Sequence, residues 1–127
     1  MIILTDTDQL IIEIEAIQSI ETHVSYVDLN MQTRQQTPGN SIASYNLAGD
    51  NVLLTSPDYG IARAIKYISI YNSNEADQSL VKVKQKTTHE DLSESTVILF
   101  YKLIDSLLSN DPPSSNIIQY TSHNGFY

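Results

Sequence analysis

The chain has no cysteine and no tryptophan, and only four glycines and four prolines among its 127 residues. Without cysteine there is no disulfide framework and no thiolate chemistry. Four glycines are too few for a glycine-rich phosphate cradle, and no phosphate-loop spacing occurs. Basic residues are also scarce: 7 Lys and Arg stand against 15 Asp and Glu, a formal net charge of −8. That balance argues against nonspecific nucleic-acid binding, which needs a basic surface to displace counterions, and against binding to anionic membranes. No stretch approaches the roughly 18 apolar residues of a membrane helix. The opening MIILTDTDQL lacks a basic segment and its apolar run stops at Leu4, so it does not read as a signal peptide. Synthesis in a cytoplasm is the expectation, with any export indirect.

What is present suits a single globular domain over 1–127, with 41% hydrophobic and 17% charged residues. LIIEIEAIQSI (10–20) alternates, with Leu10, Ile12, Ile14 and Ala16 on one face and Glu13, Glu15 and Ser19 on the other. Period two with β-branched residues predicts a half-buried strand. HVSYVDL (23–29) predicts a second, joined to the first as a hairpin through Ser19–Thr22. MQTRQQTPGNS (31–41) is polar, contains Pro38-Gly39 and reads as a long loop. NVLLT (51–55) predicts a short strand. IARAIKYISIYN (61–72) is the strongest strand signal, with Ile68 and Ile70 on one face and Ile65, Tyr67 and Tyr71 on the other. A polar turn leads back into LVKVKQKT (80–87), which predicts another hairpin.

STVILFYKLIDSLLSN (95–110) fits either a strand or a helix. Its β-branched and aromatic first half favours a strand over 96–103, with a helical turn open at 104–109. DPPSSN (111–116) is a rigid loop, and NIIQYTS (116–122) with the terminal GFY closes the sheet. The sum is all-β: an antiparallel β-sandwich of about eight strands, the jelly roll being one form it could take.

The search for chemistry returns little. His23, His89 and His123 have no second ligand at metal spacing on an expected element. TDTDQ (5–9) lacks the glycine and the bidentate glutamate of a calcium loop and reads as a capped turn before a strand. No G-x-S-x-G elbow occurs. Glu13/Glu15 read as the solvent face of a strand and Glu90/Asp91 as part of a loop. No enzyme activity, metal, cofactor or small-molecule substrate is expected.

Two features point to contact instead. Eight tyrosines stand beside two phenylalanines. Tyrosine suits surfaces half apolar and half wet, at a sandwich rim or in an interface. Lys82, Lys84 and Lys86 form a stripe on one face of 80–87, opposite Val81, Val83 and Gln85. The stripe reads either as a solvated face that discourages edge pairing, or as a contact for an acidic neighbour. That neighbour could be a second copy presenting Glu13 and Glu15. Tyr67, Tyr71, Lys82, Lys84 and Lys86 are the candidate contact residues, and loop 31–46 the candidate partner-facing arm.

The phrases LTDTDQLIIEI, SYVDL, TPGNS, NVLLT, IKYISIYN, LVKVKQ and the terminal NGFY follow one another along the chain. This order resembles a loose group of small virion proteins of tailed bacteriophages, structural components of heads or tails. In that group an L-T-x-T-D opening, an S-Y-x-D strand, a T-P-G turn, an I-x-I-x-N strand and a terminal G-F recur in this order. The likeness spans most of the chain and departs after Leu103, where DPPSSN replaces a compact glycine-containing turn. It implies a β-sandwich in a virion that associates with copies of itself and docks onto other capsid, neck or tail proteins, with no catalytic residues to carry over. The alternative from another class is a carbohydrate-binding module with loop tyrosines as stacking platforms, against which stands the absence of tryptophan.

Overall fold

Alternating apolar residues build ten strands among the described residues, which in this computed structural model are 1–15, 19–75, 77–107 and 116–127. They are β1 (Ile3–Leu4), β2 (Asp8–Ile14), β3 (Ile20–Asn30), β4 (Gln36–Tyr45), β5 (Gly49–Leu54), β6 (Ile61–Asn72), β7 (Ser79–Thr88), β8 (Glu94–Ile104), β9 (Ile117–Thr121) and β10 (Gly125–Phe126). The first sheet runs β10-β9-β6-β3-β4, with β1 beside β6; the second runs β5-β2-β7-β8. All strand pairs are antiparallel.

The two sheets close on one core, as the alternation predicts for an antiparallel β-sandwich. Ile20, Val24, Ile68, Ile70 and Ile118 come from the first sheet; Leu10, Ile12, Ile14, Val81 and Val83 come from the second. Each is essentially sealed from solvent, so each contributes on the order of 1.5–3 kcal/mol by leaving water. Tyrosines serve at the seams: Tyr120 Oη accepts from Ile2 N at 2.9 Å, and Tyr45 Oη donates to Val52 O at 2.8 Å. Asp8 closes the turn before β2, accepting from Thr5 N at 2.9 Å and from Thr87 Oγ1 at 2.6 Å. The capped turn expected of TDTDQ is thus the one formed.

Four local expectations change. The segments 10–20 and 23–29 are not a hairpin: β2 pairs with β5 and β7, whereas β3 pairs with β4 and β6. Likewise β6 and β7 do not pair, and the turn after Asn72 crosses from one sheet to the other. The buried Asn72 holds that crossing, its Nδ2 donating to Asp77 O at 2.9 Å and Asp105 O at 3.0 Å. Short separation brings two strands near each other; it does not decide which sheet each joins.

The segment read as a loop at 31–41 is mostly strand. Residues Gln36–Tyr45 form β4, paired along β3, and the turn is confined to 31–35. Asn30 Oδ1 organises that turn by accepting from Gln32 N and Thr33 N, both at 3.0 Å. Pro38 is tolerated because β4 is an edge strand, where a missing N–H need not break a ladder. Gly39 is there for space: a Cβ would stand 2.5 Å from the Tyr26 ring laid across it.

Finally, Ile65 lies in the core rather than beside Tyr67. A bulge at Lys66, where Ser25 faces Tyr67 and Tyr26 faces Ile65, shifts the alternation by one residue. The strand favoured over 96–103 is present as β8. The helical turn left open at 104–109 does not form over its described part, where Ile104 ends β8 and 105–107 are not helical; Ala16, most of DPPSSN and residues 108–109 lie outside the described residues.

Candidate contact faces and the free edge

The strand registers put the candidate residues on two opposite surfaces. On the first sheet's outer face, Tyr67 is flanked by Ser25 of β3 and Thr121 of β9, and Tyr71 by Glu21 and Ile117. Both tyrosines are half-buried in that row. His23 meets Tyr67 edge-on, with ring centroids 5.8 Å apart. The structure therefore brings Tyr67 and Tyr71 together, with Ser69 between them, and keeps them apart from the lysines.

Lys82, Lys84 and Lys86 share the second sheet's outer face, opposite in sense to the buried Val81 and Val83. Their strand is not an edge: β7 lies between β2 and β8. So the stripe does not act by guarding an edge. Its acidic neighbours belong to the same chain. Lys84 Nζ stands 2.6 Å from Glu13 Oε1 and 2.9 Å from Asp50 Oδ1. Lys82 Nζ is 3.3 Å from Glu13 Oε2, and Lys86 Nζ is 3.6 Å from Glu94 Oε1. The lysines thus tie β7 to β2, β5 and β8.

Lys84 is the best held, its side chain only 11% exposed. The hydrogen bond to Glu13 raises its pKa above the ordinary lysine value, and the bond from Lys84 lowers that of Glu13 in turn. Beneath this network Ile11, opposite Lys84, is buried although it lies on the outer face. Lysine stems can cover apolar surface while their ammonium groups reach outward.

Across the second sheet the outer rows read Asp50–Glu13–Lys82–Tyr101 and Val52–Ile11–Lys84–Ile98. Charge fills the β2, β5 and β7 side and stops at β8. There Ile98, Tyr101 and Leu103 are 51%, 66% and 50% exposed. The charged residues of β8 are Glu94, at one end, and Lys102, whose Nζ turns away to donate to Ile117 O at 2.8 Å. Before the bulge at Leu99, residues Glu94–Ile98 are exposed on both faces. Among the described residues β8 pairs with β7 alone, so its other backbone edge is free.

This edge is the feature that reading the sequence missed. The alternation of Thr96, Ile98, Tyr101 and Leu103 is broken by a bulge, and nothing in the composition shows which side of the strand faces water. The arm expected at loop 31–46 is instead occupied largely by β4. Among the described residues no three His, Asp or Glu side chains stand together in a way that could hold a metal ion.

No protein-family model, curated protein or solved structure matches the chain.

Proposed function

We propose that the chain is a non-catalytic structural component of a virion, as its motif order suggests, acting through association with copies of itself and with other particle proteins. The observation that carries this reading is the apolar strip of Ile98, Tyr101 and Leu103 on the eleven-residue strand β8, whose edge away from β7 is free among the described residues. Exposed apolar edges of this length are ordinarily blunted or covered, because they pair with other chains. The adjacent lysine network supports the same reading. It holds Lys82, Lys84 and Lys86 against Glu13, Asp50 and Glu94, three charges of each sign, so within a protein of net charge −8 this network is neutral.

Contact is then driven by burial of β8 side chains rather than by the lysines, and it resists salt. The opposite face, with Tyr67 and Tyr71, is left for a different partner protein. The test is sedimentation velocity over a range of concentrations. Ile98→Asp with Tyr101→Asp is expected to reduce the assembled mass, and Tyr67→Ala with Tyr71→Ala to leave it unchanged. A mass that falls only with the Tyr67 and Tyr71 changes would move the self-association surface to the first sheet. A native chain that stays monomeric and binds glycans on an array would replace this reading with the sugar-binding one.

A further inference from the structure

We infer that the partner at the free edge is the β8 of a second copy, paired antiparallel over Glu94–Ile98 about a two-fold axis at Thr96. The inference rests on the association reading above and adds the mode of contact and its register.

Among the described residues the sheets end in β1, which is two residues long, and in β10, β4, β5 and β8. β10 is two residues long. β4 carries Pro38 and the crowded Gly39. β5 is six residues long, begins with Gly49 and Asp50, and has its Val52 carbonyl occupied by Tyr45 Oη. Each has one of the devices by which sheet edges avoid foreign strands: shortness, proline, charge or local cover. β8 has eleven residues and no proline, and Ser95–Tyr101 is uncharged. Its one interruption is the bulge at Leu99, which limits regular pairing to the stretch before it.

That stretch is also where β8 is bare on both faces, so a second strand would bury Val97 on one side and Ile98 on the other. Charge selects the direction. Parallel pairing would set Glu94 beside Glu94 of the second copy, in a chain already at −8. Antiparallel pairing about Thr96 sets Glu94 opposite Ile98, Ser95 opposite Val97 and Thr96 opposite itself. No like charges meet, and Glu94 keeps its internal partner Lys86. The contact is isologous, so it closes as a dimer and joins two four-stranded sheets into one of eight strands.

The chain has no cysteine, so a single thiol placed by mutation is the only one present. Thr96→Cys on the two-fold axis faces its own copy at cross-strand distance, within reach of a disulfide. The expected result is a covalent dimer under mild oxidation, with Val52→Cys on the opposite edge staying monomeric on reducing-agent removal. Hydrogen exchange on the native protein is the second readout. Amides within residues 95–98 slow at least tenfold at concentrations where the dimer forms. Val97→Lys with Ile98→Lys, at two exposed positions, weakens the dimer at least tenfold while leaving the monomer's melting temperature near that of the native chain. An oligomer whose 95–98 amides exchange as fast as in dilute solution, or one that cross-links through Val52→Cys but not Thr96→Cys, overturns this inference alone. A monomer at every concentration overturns the association reading with it.

Discussion

At the scale of single residues, three positions carry constraints that substitution can expose. Gly39 leaves room for the Tyr26 ring, which Arg63 holds from above with its guanidinium carbon 4.3 Å from the centroid. Arg63 is fixed in turn by two bonds to Asp28, at 2.7 and 2.9 Å. Gly39→Ala therefore forces a clamped ring to move. It is expected to cost about 1–3 kcal/mol, the usual range for overpacking, and Tyr26→Leu in the same chain should recover part of that. Urea denaturation of the two single variants and the double variant measures the coupling. Leu92 is the opposite case: it has φ of 69° and is exposed, so it bears left-handed strain with little packing in return. Leu92→Gly is expected to raise stability by up to about 1 kcal/mol, read from the same denaturation curves. Lys84 separates Glu13 from Asp50, which face each other across paired strands. Lys84→Met keeps the stem over Ile11 and leaves two like charges opposed. A loss on the order of 1 kcal/mol is expected, and a further Asp50→Asn should reduce it.

At the scale of elements, the sequence shows well which segments are strands and poorly how they pair. The alternations at 10–14 and 80–87, and the apolar run of 61–72, each correspond to a strand. Pairing depends on burial across the sandwich, which is not a local property. Two segments close together in sequence enter opposite sheets when their apolar faces must oppose each other across the core, as β2 and β3 do. Pro38-Gly39 misled for a related reason: both residues break structure in isolation, and both are accommodated where the strand is an edge and a ring needs space. The lysine stripe was plain in the sequence, down to which residues share a face. Its partners were not, because Glu13, Asp50 and Glu94 lie far apart along the chain and meet only through strand register. The bulges at Lys66 and Leu99 shift the alternation in ways that a period-two reading cannot anticipate.

At the scale of the whole molecule, acid should destabilise the protein chiefly through the two strand carboxylates whose pKa is lowered, Asp8 and Glu13. Burial works against the charged form of Asp8, but hydrogen bonds from Thr87 and Thr5 outweigh it and hold its pKa below the ordinary aspartate value. Glu13 is lowered chiefly by its bond from Lys84. A depressed pKa means that the unfolded chain takes up the proton first. Their contribution is therefore complete above the ordinary carboxylate range and is lost as pH falls through about 4 and below. Lys84, raised chiefly by Glu13, adds stability that is lost only as pH rises past the ordinary lysine value, near 10.5. Melting temperature against pH should thus show a plateau between these limits, and Asp8→Asn should flatten the acid limb while lowering the plateau.

On the reading proposed above, the β8 side of the second sheet makes this chain an assembling unit, with its lysines already satisfied from within. Light scattering of the purified native protein, at low and at high salt, tests it most directly. The expected particle is a defined multiple of the 14.2 kDa chain that survives high salt. A 14.2 kDa particle at every concentration, or an oligomer that salt disperses, would contradict it.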